Sequence, residues 1–321
     1  MSSKSSRGSV TVNSPIIIIG AGRSGTNMLR DLLAELPQFS TWPCDEINYI
    51  WRHGNRGFET DEFTREMADD KTANYVRKQF QAFAVKHPGT SVVEKTCANS
   101  LRCGFIHQIF PRARFIHIVR DGRDVAASAA LRWNAKLDIG YIAKKARYVP
   151  WSDLPYYATK YLSARIYKLF SGKSRLSTWG PKFEGMQEAF TEYELPVSCA
   201  IQWRQCVTRA IEQLAEVPQS QVLTIRYEQF TSDAATEFKK VCDFLGRSEA
   251  DTGSEADTGS DADFKTLTQG VSNRSVGKWK QQLTESQLAK IQELAGTLLS
   301  ELGYGESSEG DLAKPNSTRQ G

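Results

Sequence analysis

Four consecutive isoleucines near the amino terminus, followed at once by a glycine-rich stretch, constrain the fold of this chain more than any other feature. The isoleucines occupy residues 16–19, and Gly20 ends the run. Such a short, wholly apolar segment is typical of a strand that is buried on both faces of a parallel sheet. Over residues 27–36 the apolar side chains recur at helical spacing until Pro37 ends the pattern. The sequence therefore predicts that the fold opens with a strand over residues 14–19, a glycine loop and a helix.

The same alternation of strand and helix returns further along the chain. Further strands are predicted at residues 91–94, 114–119 and 221–227, and further helices at residues 125–131 and 233–245. This alternation indicates an α/β fold, with a central parallel sheet flanked by helices. We expect one such domain over residues 14–305.

Composition narrows the class of protein. The 321 residues carry 41 Lys+Arg against 37 Asp+Glu, and the formal net charge of +4 is too small to indicate nucleic-acid binding. The six cysteines include no CxxC pair, and a chain of this length needs no disulfide staples, so we expect reduced thiols. No apolar run reaches the ~18 residues of a membrane span, and the polar amino terminus lacks the apolar stretch of a signal peptide. We therefore expect a cytoplasmic protein with no transmembrane segment and no nucleic-acid partner.

Four segments fall outside the strand and helix pattern. Residues 1–13 and 306–321 are polar tails. Residues 132–220 carry four tryptophans, several tyrosines and loops rich in Gly and Pro, which predicts an insertion of helices and loops over the sheet. Any single aromatic residue there is more typical of core than of a ligand contact. Residues 247–263 hold six acids against one base and contain EADTGS twice, which indicates an acidic linker loop.

Residues 20–27, Gly-Ala-Gly-Arg-Ser-Gly-Thr-Asn, lie between the first predicted strand and helix. Backbone N–H groups in such a loop and the positive end of the helix dipole together form an anion site, so we expect a phosphate cradle. A nucleoside triphosphatase loop needs Lys followed by Ser or Thr after its last glycine, but Thr26 and Asn27 stand there. Both the phosphate-binding lysine and the magnesium-binding hydroxyl are missing, which disfavours ATP hydrolysis.

A dinucleotide-binding loop is an alternative interpretation. The three glycines match GxGxxG, and the acids Asp45 and Glu46 follow about 20 residues later, as the ribose-binding carboxylate does in such folds. The residues before these acids, 38–41, make a poor second strand, so that carboxylate lacks a convincing strand end. On this interpretation the protein is an oxidoreductase that uses a nicotinamide or flavin cofactor.

Two motifs together resemble the sulfotransferases that use 3′-phosphoadenosine 5′-phosphosulfate (PAPS). Arg23-Ser24-Gly25-Thr26 resembles the loop that follows the first strand of that family and holds the 5′-phosphosulfate end of the donor. Residues 114–128, RFIHIVRDGRDVAAS, resemble the family's 3′-phosphate-binding segment. The resemblance implies a donor that needs no metal, and it implies that these residues bind it: Arg23, Ser24, Gly25, Thr26 and Asn27 at the 5′ end, and Arg120 and Ser128 at the 3′-phosphate. A guanidinium and a hydroxyl are suitable donors to a phosphate.

Two later segments extend the resemblance, the first to the sulfotransferases in general and the second to their glycan and tyrosylprotein branch. Tyr227-Glu228, followed by a helix that ends in Phe-Leu-Gly, resembles a strand and helix unit of these enzymes and makes Tyr227 a donor-binding candidate. Residues 273–304 resemble the segment that folds over the nucleotide in that branch. By this resemblance Lys278 reaches the nucleotide phosphates, and Ser275 is a further candidate.

The resemblance also implies catalytic roles. Sulfuryl transfer needs an acceptor hydroxyl held in line, a base for its proton, and positive charge at the departing phosphate. Arg23 and Lys95 are the candidates for the positive charge. The cytosolic small-molecule branch carries its histidine base two residues after such a lysine, where Cys97 stands here. Glu46, which resembles the catalytic glutamate of the glycan and tyrosylprotein branch, is therefore the expected base, with Asp45 as the alternative.

The resemblance thus implies a P-loop nucleotide-kinase-like sulfotransferase fold in a PAPS-dependent enzyme. The glutamate favours a carbohydrate, glycolipid or metabolite hydroxyl over a peptide tyrosine as acceptor, and residues 132–220 are expected to shape the acceptor site. Two other classes stay open: the dinucleotide-dependent oxidoreductase, and a non-catalytic nucleotide-binding module that needs neither Glu46 nor Lys95. The sequence does not indicate the oligomeric state.

Overall fold

In a computed structural model of the chain, five parallel strands form one central sheet. The structure describes residues 14–133, 149–156, 159, 180–246 and 261–305. The strands are β1 (Ile16–Ile19), β2 (Phe39–Thr41), β3 (Ser91–Lys95), β4 (Arg114–Val119) and β5 (Val222–Arg226). They pair in the order β2-β3-β1-β4-β5, and every pairing is parallel. The expected α/β class is confirmed.

The isoleucine strand lies at the centre of this sheet, as its apolar run predicts. All four side chains are buried, and β1 pairs with β3 on one side and with β4 on the other. Ile16 and Ile18 face an apolar cluster that includes Leu29, whereas Ile17 and Ile19 face a second cluster. Because successive side chains of a strand point to opposite faces, a strand covered on both faces needs an unbroken apolar run.

Helices cover both faces of the sheet. Those of the described residues are α1 (Thr26–Ala34), α2 (Asn48–Trp51), α3 (Asp70–Lys86), α4 (Cys103–Ile109), α5 (Gly122–Trp133), α6 (Met186–Glu192), α7 (Leu195–Leu214), α8 (Tyr227–Ser232), α9 (Ala234–Phe244), α10 (Asp261–Thr268), α11 (Trp279–Gln282) and α12 (Glu285–Glu301). Within these ranges we find no helix with the length and apolarity needed to cross a membrane. Helix α1 follows the glycine loop and α5 follows β4, so both begin at the carboxyl edge of the sheet.

One strand differs from the sequence-based expectation. Residues 39–41, which the sequence makes a poor strand, form β2, and Phe39 pairs with Ser91 at the edge of the sheet. Three residues are too few to show a periodic pattern, so the prediction was wrong here. The strand order also bears on the dinucleotide interpretation, because that fold usually places its second strand beside the first, in the order 3-2-1-4-5-6. Here β3 separates β2 from β1.

Part of the expected insertion belongs to the core. Helix α7 falls within residues 132–220, yet it packs against α5 and α12 and buries Trp203. The Trp203 indole donates from Nε1 to the backbone oxygen of Arg120 at 3.1 Å, so α7 supports the end of β4. Trp133 is buried as well, and both tryptophans are core residues. The helical period of α7 identifies it as a helix but does not tell which neighbour it packs against.

Several sequence predictions concern other parts of the chain. The predictions for residues 1–13, 134–148, 157–158, 160–179, 247–260 and 306–321 lie outside the described residues. The last three residues of the expected acidic linker, 261–263, are the start of helix α10.

The end of the described chain, at Tyr304, is held by hydrogen bonds beside the turn between β4 and α5. Glu228 accepts hydrogen bonds from the Tyr304 hydroxyl at 2.7 Å and from the Asp121 backbone N–H at 2.9 Å. Arg123 donates to the Tyr304 backbone oxygen at 2.9 Å. These contacts join the end of the described chain to the carboxyl edge of the sheet.

Gly122 has no room for a side chain, because an added Cβ would lie 2.5 Å from the Trp203 ring. We expect Gly122→Ala to lower the free energy of unfolding by about 1–3 kcal/mol, the usual cost of overpacking a core, as measured by urea denaturation. Gly57→Ala is the matched control, because a Cβ there meets no atom within 4 Å. Equal stability of the two variants would contradict the close packing of α5 on α7.

Candidate active site

The glycine loop leaves β1 at the carboxyl edge of the sheet and turns into α1. Arg23 and Gly25 have φ angles of 74° and 92°, in the left-handed region. Gly25 also permits a close approach, because a Cβ there would lie 2.5 Å from the Tyr227 ring. The Ser24 hydroxyl is buried and, within the described ranges, has no hydrogen-bond partner. Together with the unpaired N–H groups at the start of α1, it offers donors to an anion.

The two sequence motifs meet in one place. Arg23 donates from Nε to the Ser128 hydroxyl at 2.9 Å, across 105 residues of sequence. Arg120 donates from Nη1 to the Arg23 backbone oxygen at 2.9 Å, across 97 residues. The loop after β1 is therefore joined directly to the end of β4 and to α5.

Arg120 also joins the segment between α10 and α11, which contains Ser275, to this site. It donates from Nη2 to the Ser275 backbone oxygen at 2.6 Å, and its guanidinium lies 4.3 Å from the centroid of the Tyr227 ring. The Tyr227 and Ser275 hydroxyls are 2.7 Å apart, within hydrogen-bonding distance. The Arg120 Nε is buried, and no described residue accepts a hydrogen bond from it. Three of the predicted donor-binding residues thus form one packed group, with one donor still available.

Asp124 holds the same segment in place, and the sequence analysis missed it. Its carboxylate accepts from the backbone N–H groups of Gly277 at 2.7 Å and Trp279 at 3.0 Å. The carboxylate also lies 3.9 Å from Arg120, and burial raises the pKa of Asp124. In the sequence Asp124 is one acid in the first turn of a helix, so no local pattern marks its long-range role.

Lys278 lies between the two residues that Asp124 holds. It is exposed, at an open cleft of about 680 Å³ that Tyr227 and Ser275 also line. Asn27, the second residue of α1, is exposed as well. Lys278 and Asn27 are therefore accessible at the rim of the site, and no hydrogen bond or ion pair to another described residue indicates their role.

Positive charge concentrates around Arg23. Arg23 is exposed at its surface, but its partial desolvation by neighbouring groups lowers the pKa of its guanidinium, and the charges of Arg120 and Arg132 lower it further. Arg132 is exposed on α5, one helical turn after Ser128. No sequence motif pointed to Arg132, although its spacing of four residues from Ser128 places both on one face of the helix. A cluster of like charges of this kind favours the binding of an anion.

A second group of predicted residues lies beside the start of α1. Lys95 Nζ is 3.6 Å from Glu46 Oε1, and the Cys97 backbone N–H donates to the same oxygen at 3.3 Å. The Cys97 sulfur lies 3.8 Å from the Thr26 hydroxyl. Lys95 is buried, whereas the Glu46 side chain is 25% exposed. The structure therefore brings Glu46 and Lys95 together, next to the loop.

The ionisation of these groups follows from their surroundings. Burial alone would lower the pKa of the Lys95 ammonium, but the ionisable groups of Cys97, Glu46 and Asp45 raise it overall. Burial raises the pKa of the Cys97 thiol to about 11, so this thiol is neutral at neutral pH. Asp45, the alternative base, forms an ion pair with Arg30 at 3.1 Å.

The donors in this site suit a phosphate-like anion. Ser24 Oγ and Arg120 Nε are buried donors without a partner among the described residues. Arg120 is joined to the loop through the Arg23 backbone oxygen. In the part of the chain that the structure describes, no cluster of three or more His, Cys, Asp and Glu side chains could hold a metal ion.

Comparison with known proteins identifies the family. A profile described as "Sulfotransferase family" matches residues 15–164 and 165–251, which is more than half of the chain. The chain therefore belongs to the sulfotransferase family. The comparison with curated proteins found no match.

Solved structures agree with this assignment at the level of fold. The sulfotransferase domain from the curacin biosynthetic pathway is 14% identical with a TM-score of 0.51, and the alignment covers 90% of this chain and 98% of that one. The sulfotransferase STF9 from Mycobacterium avium is 13% identical with a TM-score of 0.50, with 90% and 77% covered. At these identities the likeness concerns the fold alone, and it confirms the expected sulfotransferase fold.

The environment of Cys97 predicts low reactivity. Because the thiolate is the nucleophile, a pKa of about 11 leaves Cys97 with about 100-fold less thiolate at neutral pH than its ordinary value of 9.0 would. We expect iodoacetamide to modify the half-buried Cys44 before Cys97 in the native protein, as measured by mass spectrometry of the peptides. Cys44→Ser serves as the control for assignment. Modification of Cys97 at the rate found in denatured protein would contradict this description of the site.

Proposed function

We propose that the protein transfers a sulfuryl group from PAPS to the hydroxyl of an acceptor. The observation that carries this proposal is the meeting of Arg23, Arg120 and Ser128 at a loop whose Ser24 hydroxyl is buried without a described partner. PAPS carries anionic groups at two separate positions, and the site offers donors at the loop and at α5. Membership of the sulfotransferase family supports PAPS as the ligand.

In this proposal the loop binds the 5′ end of the donor through these residues: Arg23, Ser24, Gly25, Thr26 and Asn27. Arg120 and Ser128 bind the 3′-phosphate. The Ser128 hydroxyl accepts from Arg23 and therefore keeps its own hydrogen to donate to a phosphate oxygen. Tyr227, Ser275 and Lys278 line the cleft of about 680 Å³, which supports binding of the rest of the nucleotide there.

The catalytic part of the proposal concerns Glu46, Lys95 and Arg23. When bound, PAPS supplies a sulfuryl group on a phosphate leaving group. Glu46 takes the proton of the acceptor hydroxyl, and the Cys97 N–H holds one of its carboxylate oxygens in place. Lys95, whose raised pKa keeps its ammonium charged at neutral pH, supplies positive charge beside Glu46, and Arg23 supplies it at the loop.

We assign the chain to the glycan and tyrosylprotein branch as part of this proposal. The support is that a glutamate, not a histidine, lies beside Lys95, while Cys97 is a neutral thiol. The acceptor is then a carbohydrate, glycolipid or metabolite hydroxyl in preference to a peptide tyrosine. We assign the shaping of the acceptor side to the part of residues 132–220 that precedes α7.

Calorimetric titration tests the donor site. We expect adenosine 3′,5′-bisphosphate to bind more tightly than adenosine 5′-monophosphate or NAD, because only the bisphosphate has a 3′-phosphate for Arg120. Arg120→Ala should weaken that binding by at least about 10-fold, as expected for the loss of charge-assisted hydrogen bonds.

Arg209→Ala is the control for loss of an arginine charge, because Arg209 is half exposed on α7 and pairs with Glu62 and Glu212. It should bind the bisphosphate as the wild type does. Preferential binding of NAD, or indifference to the 3′-phosphate, would contradict the sulfotransferase donor site and favour the dinucleotide interpretation.

The rate at which a radioactive sulfuryl group is transferred from PAPS tests the catalytic residues. The acceptors are monosaccharides, a glycolipid and a tyrosyl peptide. We expect Lys95→Met and Glu46→Gln to lower kcat by about 100-fold or more while binding of adenosine 3′,5′-bisphosphate persists. Asp45→Asn should retain activity, because Asp45 pairs with Arg30. Wild-type rates in both Lys95→Met and Glu46→Gln would contradict these roles, and tight nucleotide binding without any transfer would favour the non-catalytic module.

A further inference from the structure

A set of buried polar groups lies next to the proposed base, and the reaction described above does not use it. Thr96 donates from Oγ1 to Glu94 Oε1 at 2.5 Å, and Asn99 donates from Nδ2 to Glu94 Oε2 at 2.7 Å. Arg102 donates from Nε to Asn99 Oδ1 at 2.9 Å and from Nη2 to Asn48 Oδ1 at 2.6 Å. We call these residues, of which Asn48 is half-buried and the others are buried, the buried polar ring: Asn48, Glu94, Thr96, Asn99 and Arg102.

The backbone of Ile47 closes the ring. Its N–H donates to the Thr96 hydroxyl at 3.1 Å, and Asn48 follows it in the chain. Ile47 also follows Glu46 directly. On the other side of the ring, Thr96 precedes Cys97, whose N–H holds Glu46 Oε1. The ring therefore sets how the segment that carries Glu46 lies against the segment that carries Lys95.

The hydrogen bonds require an acceptor at both oxygens of residue 94. The Thr96 hydroxyl accepts from the Ile47 N–H and donates its own hydrogen to Glu94. The Asn99 oxygen accepts from Arg102, so Asn99 turns its amino group toward Glu94. An ionised carboxylate accepts at both positions and carries no hydrogen that would need a further acceptor.

This carboxylate is costly to keep where it is. Glu94 is 1% exposed, and burial raises its pKa to about 7, although the Thr96 hydroxyl and the charge of Arg102 favour the ionised form. Replacing buried ionic groups with apolar side chains often leaves a protein equally stable or more stable. Stability alone therefore does not explain the presence of a carboxylate at this position.

We propose that Glu94 is a positioning residue that holds the peptide after Glu46, through Thr96 and Ile47, and so directs the Glu46 carboxylate toward Lys95. Glu94 acts through these neighbours and not on the reacting atoms. The inference rests on the proposed function, in which Glu46 is the base.

Glu94→Gln tests the inference with almost no change of volume. The new side chain has an amide oxygen that accepts and an amide nitrogen that donates. One of the two donors that Glu94 accepted from, Thr96 or Asn99, therefore meets another donor in place of an acceptor. We expect kcat per nucleotide-binding site to fall by about 10- to 100-fold, as for other small displacements of catalytic groups. The KM for PAPS and the Kd for adenosine 3′,5′-bisphosphate should stay unchanged, because the ring contains none of the donor-binding residues.

The reciprocal exchange Glu94→Gln with Asn99→Asp restores every hydrogen bond of the ring. The new amide donates to the new carboxylate and still accepts from Thr96, and the carboxylate still accepts from Arg102. We expect the double variant to regain kcat to within about threefold of the wild type, whereas Asn99→Asp alone sets two carboxylates together and loses activity. A merely structural role predicts that kcat per nucleotide-binding site is the same in all of these variants.

If Glu94→Gln does not fold, the variants Thr96→Val and Thr96→Ser test the positioning role instead. The Thr96 backbone is extended, with φ −132° and ψ 118°, which valine adopts readily. We expect Thr96→Val to lose kcat and Thr96→Ser to keep it, because only serine retains the bridging hydroxyl. Equal kcat in these two variants, or no recovery in a double variant that folds, would overturn the inference.

Glu46→Gln separates this inference from the proposed function. Loss of kcat in Glu46→Gln with full kcat in Glu94→Gln would leave Glu46 as the base and overturn only the positioning role. Full kcat in Glu46→Gln would overturn the base assignment and the positioning role together.

Discussion

The buried guanidinium of Arg120 is the group on which the rest of the site depends. It binds the backbone oxygens of Arg23 and Ser275 and stacks on the Tyr227 ring, so it connects the glycine loop to two distant segments. A guanidinium presents five N–H donors in one rigid plane, and a lysine at this position would lack that geometry. Because a buried charge is unfavourable unless it is hydrogen-bonded, these segments must lie in place together for Arg120 to be accommodated. Asp124 strengthens the arrangement by holding the segment after Ser275.

The parallel sheet explains how residues far apart in sequence reach this arrangement. The glycine loop, Lys95, Arg120 and Tyr227 stand at the carboxyl ends of β1, β3, β4 and β5, which are neighbours in the sheet. In open α/β sheets, ligands bind outside the carboxyl ends of the strands. The order of the strands therefore brings Arg120 and Tyr227, which we propose bind the donor, to one side of β1 and the Glu46 and Lys95 pair to the other. The buried polar ring lies next to that pair and links it by hydrogen bonds to the starts of α2 and α4.

Sequence patterns predicted the parts of the molecule that depend on local chemistry. The isoleucine run identified β1, and the two motifs led to Arg23 and Ser128, which form a direct hydrogen bond. The sequence did not indicate β2, whose three residues are too short for a pattern. It also did not indicate the role of Asp124, because its hydrogen-bond partners Gly277 and Trp279 are brought to it by tertiary packing. Glu94 bonds to the nearby Thr96 and Asn99, but no motif marks this local arrangement.

The most direct test of the central claim is a crystal structure with adenosine 3′,5′-bisphosphate bound. We expect the 5′-phosphate on the backbone N–H groups of the glycine loop and the 3′-phosphate on Arg120 and Ser128. We also expect the buried Ser24 hydroxyl and the Arg120 Nε each to gain a partner, directly or through a phosphate-bound water. A nucleotide bound elsewhere, or a 3′-phosphate that points into solvent away from Arg120, would contradict the account.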